Sequence, residues 1–298
     1  MELVIDNLTK TYDNGVQALK GVSLTISQGM FGLLGPNGAG KSTLMRTIAT
    51  LQEADSGSVR LDYGEGQTID VLKEKDKVRE MLGYLPQEFG LYPKVEAIRL
   101  LDHIAVLKGI TNSTDRKNMI ESLLQKTNLW SARNKSLGTF SGGMKQRFGI
   151  AQALIGNPRL VVVDEPTAGL DPAERNRFLN LLSELGEHTI VILSTHIVED
   201  IKELCTSMAI INHGDVLFQG NPSTSVDEIS GKIWKKKIRK NQLEEFRSNY
   251  RVLSEKLLAG LPEIRVYSNT RLESFDRADA DLEDVYFSKL AAAEETTR

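Results

Sequence analysis

The chain has little of several things, and each shortage excludes a class of protein. One cysteine, Cys205, stands among 298 residues, so no intrachain disulfide can form, which suits a reducing, cytoplasmic setting. That cysteine lies in IVEDIKELCTSMAII at helical spacing with Val198, Ile201 and Leu204, the pattern of a core residue rather than a nucleophile. Long apolar runs are missing too: MFGLL, LVVVD and TIVILST have strand lengths, far below the roughly 18 apolar residues of a membrane span. The start, MELVIDNLTKTY, has no basic-then-apolar order and so reads as no signal peptide. Charge of one sign is also missing. With 37 basic against 40 acidic residues the net charge is −3, which argues against a chain-wide nucleic-acid footprint.

What is present fits a soluble globular protein, with 40% hydrophobic and 26% charged residues, long enough for one large domain with an appendage. The stretch GPNGAGKST follows the apolar run MFGLL and opens a helix periodic at Leu44, Ile48 and Leu51. Gly35, Pro36, Asn37, Gly38, Ala39, Gly40, Lys41, Ser42 and Thr43 thus have the spacing of a phosphate cradle. Glycines let backbone N–H groups face phosphate oxygens, and the helix start adds positive partial charge. Lys41 can then reach the terminal phosphates while the Ser42 hydroxyl coordinates Mg²⁺. The competing account, a glycine-rich turn with a chance lysine, is weakened because the strand-loop-helix context is met.

In chain order, residues 1 to 34 read as an antiparallel β layer with turns at Asp13-Asn14-Gly15 and Gln28-Gly29. Tyr12 lies in it, either stacking on a purine or half-buried as a strand tyrosine. A hairpin is expected around SGSVRLDYGEG, then a polar helix over 70–80. Gln87 follows a short apolar strand, where its amide could ligate a metal, orient water or be a plain loop residue. From Lys94 to Asn157 the pattern is helical, with one stripe at Leu100, Leu101, Ile104 and Leu107 and another at Ile120, Leu123 and Leu124. This insert ends in FSGGMKQRFGIAQALIGNP. Ser141, Gly142 and Gly143 there offer a hydroxyl and open N–H donors at a helix start, or a plain N-cap, and Pro158 stops the helix.

LVVVDEP is a buried strand ending in Asp164 and Glu165, carboxylates costly to leave there without a metal or substrate. Asp164 can reach Mg²⁺ and Glu165 can polarise water. Asp171 caps a helix that runs to a terminator at Gly186. His196 ends the strand TIVILST and can hydrogen-bond a terminal phosphate, whereas His103, His188 and His213 show no convergent partners. A hairpin turning at His213-Gly214 closes the main domain at about residue 220.

Taken together over about 220 residues, these motifs resemble the nucleotide-binding subunit of an ATP-binding cassette (ABC) transporter. GPNGAGKST is similar to the family's phosphate loop, Gln87 to its Q-loop, FSGGM to its signature, LVVVDE to its second acidic motif, AGLD to its D-loop and His196 to its switch histidine. Tyr12 falls at the family's adenine-stacking position. Phe140 departs from the commoner leucine of the signature but leaves Ser141 and both glycines in place. The resemblance implies an α/β P-loop NTPase core (1–220) with an antiparallel β layer and an all-helical subdomain (about 90–158) facing a membrane partner. It implies ATP and Mg²⁺, the metal held by Ser42, Gln87 and Asp164. It further implies a head-to-tail homodimer or heterodimer in which Ser141, Gly142 and Gly143 of one subunit cover the ATP held by the other, with Asp171 also among the nucleotide-binding residues. The catalytic set is then Glu165, His196, Lys41 and Gln87. The partner would be an integral membrane permease subunit, and the chain would lie peripherally on the cytoplasmic face, with no nucleic acid bound.

Residues 221–298 carry none of these motifs and read as a small C-terminal α+β appendage: a basic strand GKIWKKKIRK, a short helix, further strands and a final helix with Leu282, Val285, Tyr286 and Leu290 on one face. DLEDVYFSKL and QEFGLYP resemble exporters of the ABC-2 kind, for drugs, lipids or polysaccharides, which points to export. Lys232, Lys235, Lys236, Lys237 and Lys240 read as a solvated strand face, with anionic lipid head groups as the alternative. Rival functions are a soluble cassette ATPase acting on ribosomes or nucleic acid, and a regulatory subunit without turnover. One phosphate loop and no sustained heptads speak against the first, Glu165 and His196 against the second.

Overall fold

The alternating apolar residues of the first strands have one wet and one dry side, and this decides where they go. In the computed structural model, which describes residues 1–64, 66–87, 90, 92–167, 170–258 and 260–297, β1 (Glu2–Thr11) and β2 (Gln17–Ser27) pair antiparallel and turn Leu3, Ile5, Leu19, Val22, Leu24 and Ile26 inward. The chain then leaves this layer. β3 (Gly29–Leu34), almost wholly buried, enters a second sheet, so the turn at Gln28-Gly29 is a crossing between sheets rather than a hairpin. After the cradle come α1 (Lys41–Ile48), β4 (Ser56–Asp62), β5 (Thr68–Asp70), α2 (Lys75–Met81) and β6 (Leu82–Leu85). β4 and β5 form the expected hairpin and complete the four-stranded order β2-β1-β4-β5.

The helical insert consists of α3 (Ala97–Leu107), α4 (Ser113–Lys126), two short 3-10 turns and α5 (Gly142–Ala153). Leu100, Leu101, Ile120, Leu123 and Leu124 are buried as their spacing predicts, but Leu107 is 73% exposed, past the end of the buried stripe. α5 ends before Pro158, through left-handed Gly156 and Asn157. β7 (Leu160–Asp164), α6 (Pro172–Leu185), β8 (Ile190–Thr195), α7 (Val198–Leu204), β9 (Ser207–Asn212) and β10 (Asp215–Gly220) complete the six-stranded order β10-β9-β3-β8-β7-β6, parallel except for β10. Gly186 caps α6 without left-handed geometry; a Cβ there would lie 2.9 Å from Met30 Cγ, so the glycine provides close approach. One apolar core lies between the two sheets around Phe31, Leu33, Leu44 and Ile48. A second covers the other face of the six-stranded sheet with the insert, α6 and α7.

The tail begins with α8 (Pro222–Glu228), a helix capped by Asn221 that the periodicity does not announce. β11 (Ile233–Lys237), α9 (Leu243–Asn249), β12 (Arg251–Leu258), β13 (Leu261–Tyr267) and β14 (Asp276–Arg277) follow, in the antiparallel order β12-β13-β11-β14. Strand alternation divides the lysines between faces instead of gathering them: Lys236 Nζ lies 5.2 and 5.1 Å above the Phe246 and Phe275 rings. α10 (Leu282–Thr297) packs against α7, α8, β9 and β10 as well as β12, and its Leu282, Val285 and Tyr286 join the second core. Arg265 on β13 makes a bidentate pair with Asp284 that ties this helix to the small sheet.

Candidate active site

Most of the sequence-predicted groups converge at the C-terminal ends of β3, β7 and β8, where a parallel sheet presents loops and helix starts to a ligand. The cradle wraps from β3 into α1. A Cβ on Gly35 would lie 2.3 Å from the Ile211 carbonyl, so this loop lies directly against β9. Gly40 caps α1 at φ 106°, and its Cβ would meet the Ala18 carbonyl at 2.4 Å; both facts require glycine. The loop lines a cavity of about 610 Å³ together with Tyr12, Gln87 and Glu165.

Lys41 is buried and donates from Nζ to the carbonyls of Gly35 at 2.8 Å and Pro36 at 3.1 Å, with Glu165 Oε1 at 3.2 Å. Glu165 is a meeting point. His196 Nδ1 is 3.1 Å from its Oε2, and Gln87 Nε2 donates to the same oxygen at 3.5 Å. Its backbone has φ 46°, in the left-handed region, and its N–H donates to Ser194 O at 3.0 Å. This turn at the end of β7 aims the carboxylate at the cavity. Asp164, beside it, is buried and accepts a short hydrogen bond from the Ser194 hydroxyl.

Tyr12 lies one residue past β1 rather than within the strand, 38% exposed, with its hydroxyl 3.0 Å from Thr43 Oγ1 and 3.1 Å from Gln52 Oε1. Ser141, Gly142, Gly143 and Asp171 do not line this cavity. Ser141 caps α5 by accepting from Met144 N–H at 3.2 Å, and Asp171 caps α6 by accepting from Glu174 N–H at 2.9 Å. Ala168 and Gly169 of AGLD, and Glu88, Phe89 and Leu91 of QEFGLYP, lie outside the described residues.

The model of the family described as "ABC transporter" matches residues 19–168. The linearmycin resistance ATP-binding protein LnrL of Bacillus subtilis is 36% identical over 231 residues, 77% of this chain and 72% of its own. The chain belongs to the ABC transporter family. An uncharacterised ABC transporter ATP-binding protein, YxlF, from the same bacterium is 35% identical over 219 residues, 73% of this chain and 70% of its own. Among solved structures, the cassette MJ0796, dimeric in a post-hydrolysis state with ADP and Pi, aligns with TM-score 0.65 and 28% identity over 74% of this chain and 98% of that one. The chain is thus the ATP-binding subunit of an ABC system and an ATPase of P-loop NTPase fold.

The cassette also brings to its cavity residues the sequence did not mark: Val16, Gln17, Ala18 and Lys20 from β2 and its approach, and His213. His213 is a correction to the expectation that it has no convergent partners. Its hairpin turn sits under the cradle because Gly214 donates its N–H to Ala39 O at 2.9 Å and accepts from Lys20 N–H at 2.9 Å. These contacts between distant segments place it there, and no local pattern signals them.

Proposed function

We propose that this cassette is the motor of a membrane exporter, hydrolysing ATP between two nucleotide-binding subunits on the cytoplasmic face beneath an integral membrane permease subunit. The observation that carries the reading is the convergence of Lys41, Gln87 and His196 on one buried carboxylate, Glu165, at the wall of a glycine-lined cavity. In this reading Glu165 accepts the proton of the attacking water, His196 and Gln87 hold that carboxylate in place, and Lys41 with the cradle N–H groups takes up charge developing on the terminal phosphate. In the same reading Tyr12, which lines the cavity, stacks on the base. Ser42, Gln87 and Asp164 are the oxygen donors suited to Mg²⁺, which supplies charge neutralisation when bound with the phosphates.

The positions of Ser141, Gly142, Gly143 and Asp171 outside the cavity support a site closed by a second subunit, as does the dimer of the MJ0796 cassette. Docking to a permease is supported by a groove of about 250 Å³ between cassette and insert, lined by Leu51, Leu82, Tyr84, Ile104 and Lys108. Leu51, at its edge, is 62% exposed. Lys108 donates to Arg79 O at 2.7 Å and Leu82 O at 2.6 Å across this groove, and burial holds its pKa below the ordinary lysine value. Export is supported by the resistance function named for LnrL. Among the described residues no helix is long and apolar enough to cross a membrane, so the membrane path belongs to the permease in this reading. We further propose that residues 1–220 form the cassette domain and 221–298 an accessory domain docked on it.

Glu165→Gln is expected to lower turnover by about 10²- to 10⁴-fold while ATP binding persists. Near-normal turnover in a phosphate-release assay removes Glu165 as the base. Purification from detergent-solubilised membranes tests the partner: a co-purifying membrane protein supports the motor reading, and ribosomes or DNA overturn it.

A further inference from the structure

Behind the cavity, and outside the motifs, one carboxylate joins three segments of the site. Asp200, in the first turn of α7, is completely buried. Its Oδ1 accepts from Arg175 Nε at 2.8 Å, and its Oδ2 accepts from the hydroxyls of Thr167 at 2.7 Å and Thr195 at 3.1 Å. Thr195 Oγ1 in turn accepts from the Ile197 N–H at 2.9 Å. Thr167 lies two residues after Glu165, Thr195 and Ile197 flank His196, and Arg175 lies in the first turns of the helix capped by Asp171.

A buried carboxylate with this many donors is fully satisfied, and a plain fold-stabilising pair needs only one cation. Here the bonds fall on the chain just after the left-handed Glu165 and on both sides of His196. Each of those two residues lies one position past the end of its strand, Glu165 after β7 and His196 after β8, where the ladder no longer holds the backbone. The His196 side chain is 46% exposed, so its 3.1 Å approach to Glu165 depends on where the backbones are held.

We propose that Asp200 is a positioning residue for hydrolysis: through Thr167 and Thr195 it fixes the mutual placement of Glu165 and His196, and through Arg175 it ties that placement to the helix that starts at Asp171. This rests on the reading of Glu165 as the base. It assigns Asp200 no contact with nucleotide, so its loss must appear in the chemical step and not in ATP binding.

The test is steady-state ATPase kinetics on the full chain with Thr167→Val, Thr167→Ser, Asp200→Asn and the double variant Thr167→Val/Glu165→Gln. Thr167→Val, nearly isosteric, is expected to lower kcat by about 10- to 100-fold, the range for a small misplacement at a reacting centre, with the KM for ATP within about twofold. Thr167→Ser keeps the hydroxyl and is expected to restore most of the rate. In the Glu165→Gln background the valine substitution should add little, because both changes disable one step. Equal losses for valine and serine, or an unchanged kcat with valine, overturn the proposal, as do additive losses in the double variant. If Asp200→Asn does not fold, the threonine pair decides. Normal turnover of Glu165→Gln alone defeats the base assignment, and the threonine comparison then still shows whether this network governs kcat.

Discussion

At the scale of single residues, chemistry that a sequence displays and geometry that it hides meet at Glu165. Adjacent carboxylates after an all-apolar strand were legible, because leaving them there unmatched is costly. The positive φ was not, since glutamate gives no sign of it and the turn is fixed by Ser194 on a strand distant in sequence. Backbone held in that region costs about 1–3 kcal/mol and persists where surroundings over-determine it. Cys205 is the opposite case, where helical spacing alone revealed a core position. Burial, reinforced by the nearby Asp200 charge, pushes its thiol up from 9.0 to about 12. At about pH 8 the folded chain should therefore resist iodoacetamide, while the same chain in urea reacts readily; rapid labelling under native conditions contradicts this burial. A pKa higher in the folded than in the unfolded chain leaves this contribution intact below pH 9.0, and stability falls as pH rises towards 12.

At the scale of elements, the cradle, the two hairpins, the insert and the small sheet could be read because each is written in local periodicity and turn chemistry. What escaped depends on distant contacts. α8 is short and polar, Leu107 lies past the last buried turn of its helix, and the turn that carries His213 is held at the cavity by bonds to the distant Ala39 and Lys20. Of the site residues, those in the phosphate loop and at strand ends were visible, while the Asp200 network was not, because its members stand in four separate segments. The cradle itself makes the clearest prediction at this scale. Gly40→Ala combines a left-handed backbone with a 2.4 Å approach to Ala18 O. It should cost about 1–3 kcal/mol in chemical denaturation from backbone strain alone and weaken ATP binding in a nucleotide titration. Wild-type stability and affinity would show that the loop relaxes without cost.

At the scale of the whole molecule, the tail shares an apolar core with the cassette. Its last helix contributes Leu282, Val285 and Tyr286 to the core that also holds α7 and the parallel sheet, and Arg265–Asp284 fastens that helix to the small sheet. Leu282→Ala should therefore destabilise the chain by about 2–5 kcal/mol, the range for emptying a buried leucine site. Calorimetry should show cassette and tail shifting together in one transition; two transitions, with only the smaller one moved, would mark the tail as independent.

That same helix has a consequence for how the protein is made. Synthesis proceeds from the N-terminus, so the phosphate loop, Asp164, Glu165 and His196 all leave the ribosome before the residues that seal the α7 side of their core. A nascent cassette has its chemistry spelled out but its wall still open, with the apolar flank of α7, β9 and β10 waiting for Leu282 and Val285. The helix that completes this core is thus translated after every residue of the candidate site.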